Sequence, residues 1–167
     1  MSNFWIATDF HLGHKKMLEV GRKPGYEQKI LKALSRIPDT DTLIFLGDFC
    51  IGGDAKWHHE LNQFWFRKWM IRGNHDRKSM SWYLEHGWDV VCDSLELNMY
   101  GKKILFTHRP RSCDFCIVNV HGHTHGNGTG ESYTDPVDRS LSKHILATEY
   151  PQTLRSIYQQ ENKKCTN

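Results

Sequence analysis

Seven side chains that can lend a lone pair to a metal ion stand at the ends of short apolar runs. Asp9 and His11 follow Phe4–Thr8, Asp48 follows Thr42–Leu46, and Asn74 follows Trp69–Ile71. His108 follows Lys103–Thr107, and His123 and His125 follow Ile117–Val120. Asp9-x-His11 and His123-x-His125 share a spacing of two, which in an extended segment turns both side chains to one side. Carboxylate, imidazole and amide donors without a thiolate suit manganese, iron, cobalt, nickel or zinc, and disfavour a structural zinc held by cysteine. Seven donors exceed what one four-coordinate ion takes, whereas two ions sharing a bridging carboxylate would use them all. The competing reading is an ordinary turn at each run end, since Gly, Asn and Asp are common turn residues. For Gly73-Asn74-His75-Asp76 taken alone, a surface turn is the simpler account. The recurrence of ligand types at five run ends is what favours a site.

Strands must present these residues. Phe4–Thr8, Thr42–Leu46 and Trp69–Ile71 read as buried strands, separated by stretches of helical spacing. Ile30, Leu31, Leu34 and Ile37 mark a helix over 27–37, ended by Pro38, and Trp57, Leu61, Phe64 and Trp65 mark another over 55–66. Strand and helix in alternation imply βαβ units around a largely parallel sheet, whose strands carry ligands at their carboxyl ends. Beyond Asp76 a short helix is expected over 79–86, with Gly87 as its stop. Strands follow at Val90–Val91, at Leu95–Met99 and Lys103–Thr107 about the turn Tyr100-Gly101-Lys102, at Ile117–Val120 and at His144–Ala147. This half reads as hairpin-rich, giving a mixed sheet or two packed sheets. Arg109–Phe115 and Asn127–Asp138 read as loops, and Leu154, Ile157 and Tyr158 as a short last helix. The domain then spans 1–158, with 159–167 a frayed polar tail.

A chain of 167 residues, 38% hydrophobic and 25% charged, suits one globular domain with a full core. Its net charge of +3 favours anionic substrates but lacks the dense basic stripe of a nucleic-acid-binding module. No apolar stretch approaches the roughly 18 residues of a membrane span. Met1-Ser2-Asn3-Phe4 runs straight into a strand pattern, so no signal peptide and no membrane association are expected. The expected compartment is the cytoplasm, with the thiols of Cys50, Cys92, Cys113, Cys116 and Cys165 reduced. Cys113-x-x-Cys116 has metal or redox spacing but no second pair to complete a site. Of the remaining histidines, His58, His59, His86 and His144 read as surface or partly packed, and His121 as packing or as support behind the ligands. Trp57, Trp65 and Trp69 read as core.

In order and spacing, Asp9-x-His11, Gly47-Asp48, Gly73-Asn74-His75-Asp76, Thr107-His108 and Gly122-His123-Thr124-His125 resemble the calcineurin-like metallophosphoesterases. The likeness runs over about residues 4–126, and Asp9-Phe10-His11-Leu12-Gly13-His14 is similar to the small, capless prokaryotic and phage members. It implies an α/β (α+β-type) fold: a four-layer α/β/β/α sandwich, two mixed sheets flanked by helices, with metals at the strand ends. It implies two divalent cations, manganese first, with iron, nickel, cobalt or zinc as alternatives. Asp9, His11 and His125 would hold one, Asn74, His108 and His123 the other, and Asp48 would bridge them. The implied activity is hydrolysis of a phosphate ester by in-line attack of a hydroxide bridging the two ions. His75 would assist the leaving group and Asp76 would orient the His75 ring. The physics agrees: paired cations acidify a shared water and clamp the phosphate, and an imidazole near neutral pH suits a departing alkoxide.

His14, Arg109 and Arg111 are the candidate substrate contacts, against which stand a surface histidine and solvated loop arginines. The expected substrate is a phosphorylated small molecule or nucleotide, in a prokaryote or phage-infected host, without stable nucleic-acid binding. One alternative is a phosphodiesterase acting on cyclic nucleotides or nucleic-acid ends rather than a phosphomonoesterase. Another is a non-catalytic binding scaffold, which the filled ligand positions and His75 argue against.

Overall fold

β2 (Thr42–Phe45) is buried at every position and lies between two parallel neighbours, β1 (Phe4–Ala7) and β3 (Arg67–Ile71). Unbroken apolar character suits a parallel strand covered on both faces. β4 (Val90–Cys92) runs parallel to β3, and β9 (Gln152–Thr153) pairs antiparallel with β1, giving the order β4-β3-β2-β1-β9. The second sheet has the order β5-β6-β7-β8, formed by Ser94–Met99, Lys102–Thr107, Ile117–His121 and Lys143–Leu146. β5 and β6 are an antiparallel hairpin, while β6, β7 and β8 run parallel. Both sheets are therefore mixed. The computed structural model of the chain describes residues 2–111, 117–123, 143–146, 150–156 and 159.

The first three crossovers contain α1 (Tyr26–Leu34), α2 (Asp54–Leu61) and α3 (Met80–Glu85). In α1 the buried residues Tyr26, Ile30 and Leu34 recur every four positions, a stripe facing the sheet. α3 begins at Ser79, whose hydroxyl accepts the Trp82 N–H at 3.1 Å, a cap worth about 1 kcal/mol. The two-residue period of the strands divides the first sheet between two cores. Ala7, Leu43, Phe45 and Met70 pack with Tyr26, Ile30, Leu34, Trp57, Leu61 and Tyr83 of the helices. Ile6, Ile44, Leu46 and Ile71 pack instead against Ile104, Phe106, Val118 and Val120 of the second sheet. Helix, sheet and sheet thus stack in the order of the expected sandwich. No described helix is long and apolar enough to cross a membrane.

Several expectations need correction. α2 stops at Leu61, well short of Phe66. The N–H groups of Gln63 and Phe64 turn back to the carbonyls of Glu60 and Leu61, and the chain then extends. Phe64 and Phe66 stack with centroids 5.7 Å apart, which sends the intervening Trp65 the other way. Trp65 is 82% exposed, not core, whereas Trp57 is buried and Trp69 packs against the second core. The second half contains one hairpin among the described residues, because parallel pairing of β6, β7 and β8 requires crossovers. β9 was not expected, since two half-buried residues leave no apolar run to read. His58 is only 1% exposed, more deeply packed than the surface or partly packed position expected of it. Its Nδ1–H donates to the Asp54 carbonyl at 2.8 Å, and its ring lies against Phe49, Trp82 and Tyr83. The Cys113–Cys116 pair, the Asn127–Asp138 loop, Ile157, Tyr158 and the tail beyond Gln159 lie outside the described residues.

Candidate metal centre

The loops that follow β1, β2, β3, β6 and β7 meet at one place. Asp9, His11 and Asp48 bring ligand atoms within 4.8 Å of one another, as do Asp48, His108 and His123. Asp48 belongs to both groups and is 1% exposed. Its Oδ2 lies 3.8 Å from His11 Nε2 and 3.4 Å from His108 Nε2, while Oδ1 accepts the His75 backbone N–H at 2.8 Å. His11 Nε2 is also 3.6 Å from Asp9 Oδ1. Asn74, on the exposed rim, places Oδ1 3.1 Å from His108 Nε2.

His108 supplies the test of whether a cation fits. Its Nδ1 is 2.7 Å from the Leu46 carbonyl, which can only accept, so the neutral ring carries its proton there. Nε2 is then a lone pair. It faces the amide oxygen of Asn74, the Asp48 carboxylate, and Nδ1 of His123 at 3.1 Å. The Asn74 and Asp48 oxygens bring lone pairs of their own to the Nε2 lone pair, and lone pairs converging at such distances repel unless a positive charge lies among them. A histidine fixed through its far nitrogen by a backbone carbonyl is how metal-binding imidazoles are oriented. The residues therefore fit divalent cations.

Backbone strain marks the same positions. Among the described residues five non-glycines have positive φ, and four of them are Asp9 (54°), His11 (48°), Asp48 (60°) and His123 (66°). Such conformations cost about 1 kcal/mol or more each and gather at functional sites where surrounding contacts hold them. Here the loops after β1 and β2 continue side by side, with Asp9 N–H donating to Gly47 O and His11 N–H to Asp48 O. Asp9 Oδ2 accepts the His123 N–H at 2.9 Å and the Thr8 hydroxyl at 2.7 Å, tying the first sheet to the second. Two glycines allow the approach. A Cβ on Gly73 would run into the Asp48 carboxylate, and one on Gly122 into the Thr8 hydroxyl and the Asp9 carboxylate.

The Asp76 carboxylate is occupied by backbone N–H groups, and no contact between it and the His75 ring occurs among the described residues. Its Oδ2 accepts the N–H groups of Asp48 and Gly73, each at 2.7 Å, and its Oδ1 that of Phe49 at 3.1 Å. The carboxylate thus braces the loop carrying Asp48 against the loop carrying Asn74. Burial raises its pKa, and the three amides oppose the rise. The His75 ring is half-buried and stands edge-on to His11, centroids 5.5 Å apart. His14 lies beside them, its ring centroid 6.0 Å from that of His11. Its pKa is lowered first by burial and then by the neighbouring His11 and His75. Burial likewise lowers His123, helped by His108 and Arg109. Arg109 Nη2 donates to Asn74 Oδ1 at 3.4 Å, which brings that arginine to the rim. Arg111 is exposed and contributes its backbone N–H to Asn119 Oδ1; no contact of its side chain with the centre occurs among the described residues. His125 lies outside them.

Sequence reading missed Arg22 and Tyr26, which hold the carbonyls of the loop carrying Asp9 and His11. It also missed Asn119, fully buried, whose Nδ2 donates to Leu105 O and Thr107 Oγ1 beneath His108. No spacing announces any of the three. A polar residue inside the apolar β7 run was the one available signal for Asn119.

The chain belongs to the calcineurin-like phosphoesterase family, whose model matches residues 2–166. It is 33% identical over 86 residues to the gene 66 protein of Mycobacterium phage L5, covering 46% of this chain and 41% of that protein. The chain therefore matches less than half the length of that relative. It is 26% identical over 171 residues to the gene 66 protein of Mycobacterium phage D29, covering 81% and 85% of the two chains. Among solved structures, AQ665 from Aquifex aeolicus, a protein of unknown function, matches with a TM-score of 0.77 at 23% identity. That match covers 96% of this chain and 100% of the other, a likeness of fold.

Proposed function

We propose that the chain hydrolyses a phosphate ester at a pair of divalent cations, manganese foremost, with iron, nickel, cobalt and zinc suited to the same donors. The observation that carries this reading is the Asp48 carboxylate lying between His11 Nε2 and His108 Nε2. Asp9, His11 and Asp48 would hold one cation, with His125 assigned by resemblance. Asp48, Asn74, His108 and His123 would hold the other. When bound, such a pair supplies an acidified water and charge neutralisation for the phosphoryl group.

The chain's own residues do the rest. The His75 N–H fixes Asp48 Oδ1, so Oδ2 stays directed at both histidines. The Leu46 carbonyl fixes the His108 tautomer. The half-buried His75 imidazole delivers a proton to the leaving oxygen as the P–O bond breaks. Arg109 on the rim and His14 beside His11 supply donors to an anionic phosphate. A phosphorylated small molecule or nucleotide is the substrate class, and likeness to two mycobacteriophage proteins supports a setting in the cytoplasm of a prokaryote or phage-infected host.

Assay with para-nitrophenyl phosphate and its bis ester, each with Mn²⁺, Ni²⁺, Co²⁺ or Zn²⁺, tests the proposal. At least one ester should turn over, a chelator should abolish the rate, and His75→Ala should lower kcat by roughly 10²–10⁴. Preference for the bis ester would make the enzyme a diesterase. Turnover of neither ester with any cation would defeat the reading.

A further inference from the structure

Behind the Asp9–His11 loop lie two side chains that hydrolysis itself leaves unused. Arg22 follows the short 3₁₀ turn Lys15–Leu18; its Nη1 donates to the Phe10 carbonyl and its Nη2 to the Asp9 carbonyl. Tyr26 opens α1 and donates its hydroxyl to the His11 carbonyl at 2.7 Å. The Arg22 guanidinium stands 5.0 Å from the centroid of the Tyr26 ring, so the two side chains form one unit. Three consecutive carbonyls are thereby gripped from one side. On the other side, the Asp9 and His11 amides bond to Gly47 and Asp48 carbonyls. Between these holds, Asp9 and His11 both adopt left-handed backbone. Such a conformation persists only where its surroundings over-determine it.

We propose that Arg22 and Tyr26 are positioning residues that set the affinity of the Asp9/His11/Asp48 cation site without touching the cation. This rests on the two-cation reading above. The planar guanidinium fork reaches two adjacent carbonyls at once, which a lysine ammonium on a flexible stem does not reproduce. The Asp48/His108/His123 group is held by separate contacts, chiefly His108 Nδ1 to Leu46 O. The clamp reaches that group through Asp9 Oδ2 and the His123 N–H. Its loss should therefore weaken one site far more than the other.

The test is calorimetric titration of Mn²⁺ into the metal-free chain and its Tyr26→Phe, Arg22→Lys and Arg22→Ala variants, with thermal unfolding of each metal-free protein. The wild-type chain should bind two cations. Tyr26→Phe should weaken one site about tenfold and both Arg22 variants about a hundredfold, the other site moving less than about threefold. In an Asn74→Ala background, which removes a donor from the opposite site only, Tyr26→Phe should weaken the stronger remaining site. Tyr26→Phe and Arg22→Lys keeping both affinities within threefold would overturn the proposal. So would equal weakening of both sites in step with a fall in Tm, which a merely structural role produces. A wild-type chain that binds no cation would instead overturn the two-cation reading itself.

Discussion

Replacing Asp76 with asparagine separates two roles for the carboxylate that follows His75. If it braces the ligand loops, its geometry sets the cost of the change. Both oxygens accept backbone N–H groups, Oδ2 from Gly73 and Asp48 and Oδ1 from Phe49. Asparagine keeps one acceptor. With its oxygen placed for Gly73 and Asp48, its NH₂ group meets the Phe49 N–H, donor against donor. One buried donor left unpaired costs about 1–3 kcal/mol, and the two surviving bonds lose their charge assistance, roughly half their strength. The relief of no longer burying a charge offsets part of this. A net loss of about 2 kcal/mol corresponds to a fall of roughly 4–8 °C in Tm for a chain of this size. Because the brace carries Asp48, Mn²⁺ affinity should fall as well. Thermal unfolding of metal-free protein and Mn²⁺ calorimetry would measure both. An Asp76→Asn variant with unchanged Tm and Mn²⁺ affinity, but a kcat as low as that of His75→Ala, would refute the reasoning and support the ring-orienting role.

Two further outcomes are expected. Gly122→Ala would drive a methyl group into the Thr8 hydroxyl and the Asp9 carboxylate. It should cost about 1–3 kcal/mol in urea denaturation, and an unchanged midpoint would contradict the packing. His58 has its pKa lowered, burial being the main cause. Below its ordinary value of 6.5 the unfolded chain takes up a proton that the folded ring refuses, so stability falls as pH drops. This group's slope is at most about 1.4 kcal/mol per pH unit, and ends at the folded pKa. Denaturation at pH 7 and pH 5 should show a smaller loss for His58→Phe than for wild type; equal losses would exclude His58 as the source.

The strand ends were readable because each candidate ligand follows a short apolar run, and parallel strands deliver their carboxyl ends to one edge. Those runs reflect burial on two faces, as in β2, which is a local property of the chain. The direction of Asp76 was not readable, since it depends on how the Asp48 loop turns, 28 residues earlier. Arg22 was hidden for a similar reason. Nothing in its neighbours shows that the carbonyls of Asp9 and Phe10 will point back at it. Trp65 misled because its spacing from Trp57 and Leu61 suits a helix that in fact ends at Leu61. His58 misled because an imidazole enters an aromatic core once a backbone carbonyl takes its proton.

Cation stoichiometry in an Asp48 variant tests the shared site most directly. Wild-type protein freed of metal and titrated with Mn²⁺ should take up two ions per chain. Asp48→Ala removes the one carboxylate common to both groups and should weaken both sites, by about tenfold or more each. Asn74→Ala should weaken one. An Asp48→Ala chain that retains either site at wild-type affinity would contradict the placement of Asp48 between two cations.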